Sequence, residues 1–239
     1  MDVKQKLASG GIATMVAVNY PSPALVEYVG KLGFDIAFID CEKGSASAER
    51  IEEMCRGARA AGIAAVVRPW MNEEGLISRY LDLGANGVMV AAVDEAETAR
   101  ALVAAVRYSR YRDFDEKLVI AMIESPRAIR NLPELLAVDG IDVWFVGPND
   151  LAHRMGHPGR ADLPKVQDAV LGILGAIKAA GRTAGTLATA GTAQKVFDAG
   201  ARLLMTRVND LLAQGSKDYQ RQLPRTAADD LPLQATGNP

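Results

Sequence analysis

Short apolar runs rich in Val, Ile and Phe alternate along the chain with longer stretches of helical period. The runs lie at residues 12–18, 35–40, 64–68, 87–93, 118–124, 141–147, 183–187 and 202–208. Continuous apolar runs of this length predict strands buried on both faces, as in a parallel sheet. Between them, apolar residues recur at three- and four-residue spacing. That period predicts helices over 23–32, 47–61, 73–83, 94–107, 125–136, 163–180, 189–199 and 210–222. The stretch 47–61 shows the stripe clearly, with Ile51, Met54, Cys55 and Ala58 on one face. Punctuation agrees with these bounds. Ser22 stands where an N-cap belongs and Asp94 can cap the helix after it. Pro126 takes a first helical position, where its missing N–H does no harm. Gly62, Gly84, Gly181 and Gly200 stand just past helix ends.

Eight strand–helix units fill the 239 residues, at about 30 residues each, which matches a (β/α)8 TIM barrel of roughly 250 residues. A doubly wound sheet is the alternative. It usually carries a nucleotide-binding first turn, and neither G-x-G-x-x-G nor G-x-x-x-x-G-K-[ST] occurs here. The expected organisation is one barrel domain over 1–222, followed by a flexible tail over 223–239. That tail holds three prolines, two aspartates and no apolar periodicity.

Charge and composition narrow the function. The 27 Lys and Arg nearly balance the 29 Asp and Glu, for a net charge of −2. Such a chain has no basic footprint for nucleic acid and no polybasic patch for a membrane surface. With 49% hydrophobic and 23% charged residues it can bury a core. No apolar window is long enough to predict a membrane span, and the start of the chain does not read as a signal peptide. Cys41 and Cys55 cannot form a disulfide framework and suit a reducing compartment. The expectation is a cytoplasmic enzyme.

In a barrel of this kind the chemistry sits at the C-terminal strand ends. Several ends here carry charge. Strand 2 runs into Asp40-Cys41-Glu42-Lys43-Gly44, strand 3 ends in Arg68-Pro69-Trp70, and strand 5 ends in Glu124-Ser125-Pro126. Strand 6 runs into Gly147-Pro148-Asn149-Asp150 and strand 8 into Arg207-Val208-Asn209-Asp210, while strand 4 ends blandly in Ala91-Ala92-Val93. Charges are costly to bury unless paired or coordinated, so their convergence on one rim is informative. Glu124 and Asp150 could hold a hard, oxygen-liking cation such as Mg²⁺ or Mn²⁺, with water and substrate completing the shell. They could equally be helix N-terminal carboxylates. Arg68 could grip a substrate carboxylate or form a rim salt bridge with Asp40 or Glu42. Lys43 could be an ion-pair partner of its acidic neighbours, a general base or a Schiff-base amine. His153 and His157 fall in a loop over 152–159 and read as surface. The Gly-rich stretch 185–191 could cradle an anion at a helix start, but its pattern is loose.

Taken together these motifs resemble the HpcH/HpaI aldolase family. Gly33-Phe34-Asp35 with Ile39-Asp40-Cys41-Glu42-Lys43-Gly44 resembles the family's G-F-D…I-D-x-E-H-G signature. Val67-Arg68-Pro69 and the segment from Leu83 to Val90 follow it, as does Ile123-Glu124 with Ala128 and Asn131. Gly140-Ile141-Asp142 through Phe145-Val146-Gly147-Pro148-Asn149-Asp150-Leu151, with Met155-Gly156, is the strongest match. The resemblance runs from about Gly11 to Tyr219. It implies a barrel assembled through its eighth helix into dimers and often hexamers, the helix being exchanged between subunits. It also implies a divalent-metal-dependent lyase (Mg²⁺ or Mn²⁺, with Co²⁺ an option) that makes or breaks carbon–carbon bonds through a pyruvate-type enolate. By this resemblance Glu124 and Asp150 are metal ligands, and Arg68 faces the 2-oxo acid. The backbone after Gly147-Pro148, near Asn149 and Asp150, binds its carboxylate, and Asp40 and Glu42 are supporting acids at the rim.

Three departures from the family pattern stand out. Lys43 falls on the family's catalytic histidine. Met122 falls on a glutamine that contacts substrate. The segment 108–115 replaces a longer family loop, from which a more open mouth is expected. Three functions follow. The first is an aldolase acting on a 2-oxo acid and an aldehyde. The second is a decarboxylase or condensing enzyme on an oxaloacetate-like acid. The third is a non-catalytic oligomer that binds 2-oxo acids.

Overall fold

The structure, a computed structural model, describes residues 2–224. Eight strands appear in order: β1 (Ala13–Ala17), β2 (Ile36–Asp40), β3 (Ala64–Arg68), β4 (Gly87–Val90), β5 (Leu118–Ile123), β6 (Val143–Val146), β7 (Ala184–Leu187) and β8 (Ala201–Arg207). All neighbours are parallel, and β8 returns to β1 with Ala17 opposite Arg207, so the barrel is closed. The helices are α1 (Val3–Ala8), α2 (Pro23–Lys31), α3 (Ala48–Ala60), α4 (Glu74–Asp82), α5 (Ala96–Ser109), α6 (Pro126–Arg130), α7 (Leu132–Leu136), α8 (Pro148–Arg154), α9 (Pro164–Ala179), α10 (Ala193–Asp198) and α11 (Val208–Gln222). Seven of the eight apolar runs contain one of these strands whole, and the eighth, 202–208, overlaps β8, which begins one residue earlier. Contacts divide the chain into two units at Val208/Asn209. In the second, α11 carries Leu211, Leu212 and Tyr219 as exposed apolar residues. The expected flexible tail lies, beyond Pro224, outside the described residues. No helix among the described residues is long and apolar enough to cross a membrane.

One helix is new and four local expectations are corrected. The first helix, α1, is too short to show a period. Asp2 caps it, and Val3 and Leu7 bury themselves under the barrel interior. The helix expected over 125–136 is two helices hinged at Asn131. Pro133 cannot donate to the turn before it and its ring would meet the carbonyl of Ile129, so one helix cannot run through. Asp94 does not cap α5. It accepts from Ser125 Oγ at 2.7 Å, and the capping position belongs to Glu95. Where a loop was expected after β6, Pro148 opens α8, anchored by buried Leu151 and Ala152, which places His153 in a helical turn. The segment 108–115 also sits elsewhere than its family counterpart suggested. It joins α5 to the start of β5 through a 3₁₀ turn at Phe114–Glu116, at the opposite end of the barrel from Glu124, so it does not shape the mouth.

Strand side chains alternate between interior and helix layer. The inward set includes Met15 and Ala17, Ile36 and Phe38, Val66, Met89, Ile120 and Met122, Val143 and Phe145, and Leu203 and Met205, all in one buried cluster. The helix-facing set packs in a second, larger cluster around Trp144, Leu102 and Ile77. At the N-terminal end two ion pairs tie α1 down: Lys6 to Asp35 at 2.7 Å and Lys4 to Asp142 at 3.1 Å. Asp35 also accepts from the Thr14 amide and hydroxyl at 2.7 and 2.8 Å. Burial works against the Asp35 charge, but the bonds from Lys6 and Thr14 outweigh it and hold the carboxyl below its ordinary range. Asp35→Ala is therefore expected to cost about 2 kcal/mol, mostly from the Thr14 amide left without a partner. Thermal melting would show it as a fall of roughly 4–8 °C at neutral pH. A depressed carboxyl stabilises the fold above its unfolded pKa and loses that contribution as pH falls, so the gap between variant and wild type should close in acid.

Candidate active site

Two steps beyond the last buried layer, the inward positions reach the C-terminal mouth, and along β1, β2, β3, β5 and β8 they turn polar. Asp40 ends β2 and Arg68 ends β3, directly opposite each other in register. The Arg68 Nε and Nη2 donate to the two Asp40 oxygens at 3.0 and 2.6 Å, a two-point fork, and Nη1 lies 2.8 Å from Glu42. Its guanidinium also stands 5.7 Å over the Phe38 ring. Burial opposes the Asp40 charge, yet the Arg68 hydrogen bonds and charge prevail and hold Asp40 below the usual carboxylate range. Arg68 is thus both readings at once: it is salt-bridged to Asp40 and Glu42, and it still faces the cavity. Three of its five N–H groups are taken. An Nη1 proton points at the Met122 sulfur at 4.0 Å, a weak acceptor that a substrate oxygen can replace.

Glu124 follows β5 at the next inward position and is only 2% exposed. Its Oε1 accepts from the Ala92 amide at 2.9 Å, and the Arg154 guanidinium stands 3.6 Å away. Its Oε2 is buried and has no hydrogen-bond partner. Burial and then the charge of Asp150 push the Glu124 carboxyl up. A strained backbone supports this arrangement: Ala92 sits at φ +54°, the one non-glycine residue at positive φ among the described residues, and that turn aims its amide at Glu124. Gly147 allows the close approach from β6, since a Cβ there would stand 2.9 Å from Glu124 Oε2. The sequence marked strand 4 as featureless, and alanine in a left-handed turn leaves no compositional trace. Arg154 was hidden for another reason, because its turn read as a loop.

Asp150 lies in the first turn of α8, where the Asn149 and Asp150 amides have no acceptor within the helix. Lys43 donates to both Asp150 oxygens at 3.3 Å, bridging the loop after β2 to α8 rather than pairing with its sequence neighbours. The Asp40 side chain folds the Lys43 loop by accepting from the amides of Glu42 and Lys43 at 3.0 and 3.2 Å. A Cβ at Gly44 would overlap the Asp40 carbonyl oxygen, so that turn needs glycine. The mouth encloses a cavity of about 270 Å³. Its floor is Phe38, Met89, Met122, Phe145 and Met205, and its rim holds Asn19, Asp40, Lys43, Arg68, Asn149, Asp150 and Arg207. Buried Pro148 opens the turn that presents Asn149. Arg207 stood among the charged strand ends of the sequence without a role, although counting by twos from Leu203 and Met205 puts it on the interior.

Other candidates fall away. His153 is exposed and His157 half-buried in the turn after α8. Cys41 and Cys55 are free and buried, and burial pushes their thiols up to about 11 and about 12, so neither is a ready nucleophile. Gly185 belongs to β7 and lies against Phe145 and Leu203. Among the described residues no three His, Cys, Asp or Glu side chains cluster as a complete metal cage. A cation here would find two carboxylates. The partnerless, buried Glu124 oxygen, with the Asp150 charge beside it, is the donor chemistry a hard divalent ion takes.

The family model for HpcH/HpaI aldolase/citrate lyase matches residues 14–231. A hydroxypyruvate/pyruvate aldolase of Cupriavidus necator is 34% identical, covering 82% of this chain and 81% of its own. A 2-keto-3-deoxy-L-rhamnonate aldolase of Escherichia coli is 28% identical, over 91% and 90%. Among solved structures, an HpcH/HpaI aldolase from Desulfitobacterium hafniense superposes with a TM-score of 0.82 at 26% identity, covering 94% of this chain and 98% of that one. The closed eight-stranded barrel, the carboxylates at its mouth and these likenesses agree: the chain belongs to the HpcH/HpaI aldolase/citrate lyase family and is a lyase of the aldolase type.

Proposed function

We propose that this protein makes and cleaves a carbon–carbon bond through the enolate of pyruvate or a closely related 2-oxo acid, with an aldehyde as the second substrate. The observation that carries this reading is the Glu124 carboxylate, buried with one oxygen unpartnered against Gly147, which lines an apolar-floored cavity that also holds the fixed Arg68 guanidinium. Glu124 and Asp150 would hold a divalent cation, which when bound would supply positive charge to the oxygen that becomes negative as the 2-oxo acid loses its proton. The chain supplies the rest. The Asn149 and Asp150 amides after Pro148 receive the donor carboxylate. Arg68, oriented by Asp40 and Glu42, directs its remaining N–H groups to the 2-oxo oxygen, a preorganised charge that need not move during reaction. The Met and Phe floor excludes water from the carbon that loses its proton. Lys43 adds a cation at the rim. For assembly, the apolar positions Leu211, Leu212 and Tyr219 of α11 support an oligomer built by exchanging that helix.

Proton NMR of pyruvate in D₂O tests the donor half of the reaction. Methyl-proton exchange is expected with Mg²⁺ or Mn²⁺, is abolished by excess EDTA, and is slower in Lys43→Ala. Absence of exchange with any divalent metal would overturn the reading. Loss of CO₂ from oxaloacetate, with no aldol product from any aldehyde, would favour the decarboxylase instead.

A further inference from the structure

Lys43 does not stand beside the metal-binding carboxylates at random. Its ammonium lies 3.3 Å from each oxygen of Asp150, on the forked edge a cation would use. The two carboxylates are therefore unequal. Glu124 keeps one buried oxygen unpartnered, while both Asp150 oxygens face Lys43. A divalent ion and an ammonium a few ångströms apart repel each other, so the two compete for that fork. An ion that takes both Asp150 oxygens displaces Lys43 from them.

Where the ammonium can go decides the consequence. The nearest acids on its own loop are Asp40 and Glu42, and both already serve Arg68. The Lys43 side chain remains 58% exposed and borders the cavity. The next anion to reach it is then the substrate's own carboxylate.

We infer that Lys43 is an internal counter-ion that occupies the metal-binding face of Asp150 until a 2-oxo acid arrives, so that metal and substrate bind with positive coupling through this one side chain. The inference rests on the reading of Glu124 and Asp150 as metal ligands. Lys43 is here a positioning residue. It weakens metal binding in the absence of substrate and returns that free energy when the substrate carboxylate takes its charge. Coupling of this kind is reciprocal, so the metal must tighten substrate binding by the same factor.

Mn²⁺ titration followed by the electron paramagnetic resonance signal of the free ion reads this without turnover. The proteins are wild type, Lys43→Gln, Lys43→Arg and Glu124→Gln, each with and without pyruvate. Lys43→Gln is expected to bind Mn²⁺ alone at least about fivefold tighter than wild type, and Lys43→Arg to stay near wild type. Because pyruvate can itself chelate the ion, some tightening by pyruvate persists in every variant. The expected signature is that its factor is smaller in Lys43→Gln than in wild type. Equal Mn²⁺ affinity of wild type and Lys43→Gln without pyruvate would overturn the inference while leaving the metal site intact. Mn²⁺ binding that survives Glu124→Gln unchanged, or no binding by any variant, would overturn the metal reading itself and the inference with it.

Discussion

Glu124→Gln is expected to lower metal-dependent turnover severely while leaving the barrel as stable as wild type, or more so. The substitution is nearly isosteric. A glutamine carbonyl can still accept from the Ala92 amide that holds Oε1 at 2.9 Å. What changes is the buried second oxygen, which has no hydrogen-bond partner and carries charge at a site where burial already pushes the carboxyl up. Replacing it with a neutral amide removes an unfavourable buried charge, so the melting temperature in EDTA should not fall. The same replacement presents an N–H₂ donor to an incoming cation. Losing an anionic ligand to the charge that stabilises the reaction should lower turnover on the order of 10³-fold, about 4 kcal/mol.

Linkage supplies a second readout of that variant, independent of chemistry. An ion that binds the folded chain at about 100 times its dissociation constant stabilises it by about 2.7 kcal/mol. In a domain of this size that raises the melting temperature by roughly 5–10 °C. Wild type should show this rise with Mg²⁺ or Mn²⁺, and Glu124→Gln should not. Full activity of the variant in metal-stripped buffer would remove Glu124 from the reaction, and an undiminished thermal shift would remove it from the metal site.

The barrel was legible because its strands are buried on both faces. That burial writes continuous apolar runs such as Leu118–Ile123, and several of them close on a polar residue where the interior column meets solvent. Asp40, Arg68 and Glu124 could be found by that rule, and Arg207 obeys it as well. The residues that escaped notice are held by conformation rather than composition. Ala92 matters through a backbone amide in a left-handed turn. Arg154 matters because α8 is short and opens on Gly147-Pro148, which reads as a turn. The partner of Lys43 was equally invisible, since Asp150 lies 107 positions away and only closure of the barrel brings the two together. The mouth contribution expected of residues 108–115 failed for a topological reason: a connection that leads into a strand lies at the end opposite the one where strands finish.

Arg68→Lys separates the structural role of Arg68 from its catalytic one. The lysine keeps the positive charge between Asp40 and Glu42 but has no planar fork, so it cannot hold both Asp40 oxygens and still offer directed donors to the cavity. Stability should change by no more than about 1 kcal/mol, whereas metal-dependent pyruvate exchange should fall about 100-fold, the usual cost of removing one preorganised donor from a developing oxyanion. Arg68→Met makes the contrast. It leaves Asp40 and Glu42 facing each other with no counter-charge. That should cost about 3 kcal/mol, the low end for breaking a buried pair, because the two acids keep 23% and 31% exposure. Acid should narrow this deficit. Asp40 is held below its ordinary range by Arg68, so its contribution is present at neutral pH and is lost as pH falls through the carboxylate range. Adding Asp40→Asn to Arg68→Met should recover part of the stability at neutral pH and none of the exchange. If Arg68→Lys exchanged pyruvate protons at the wild-type rate, Arg68 would be a rim cation that orders two acids, and the charge facing the 2-oxo oxygen would have to come from elsewhere at the mouth, with Arg207 the first candidate on the cavity wall.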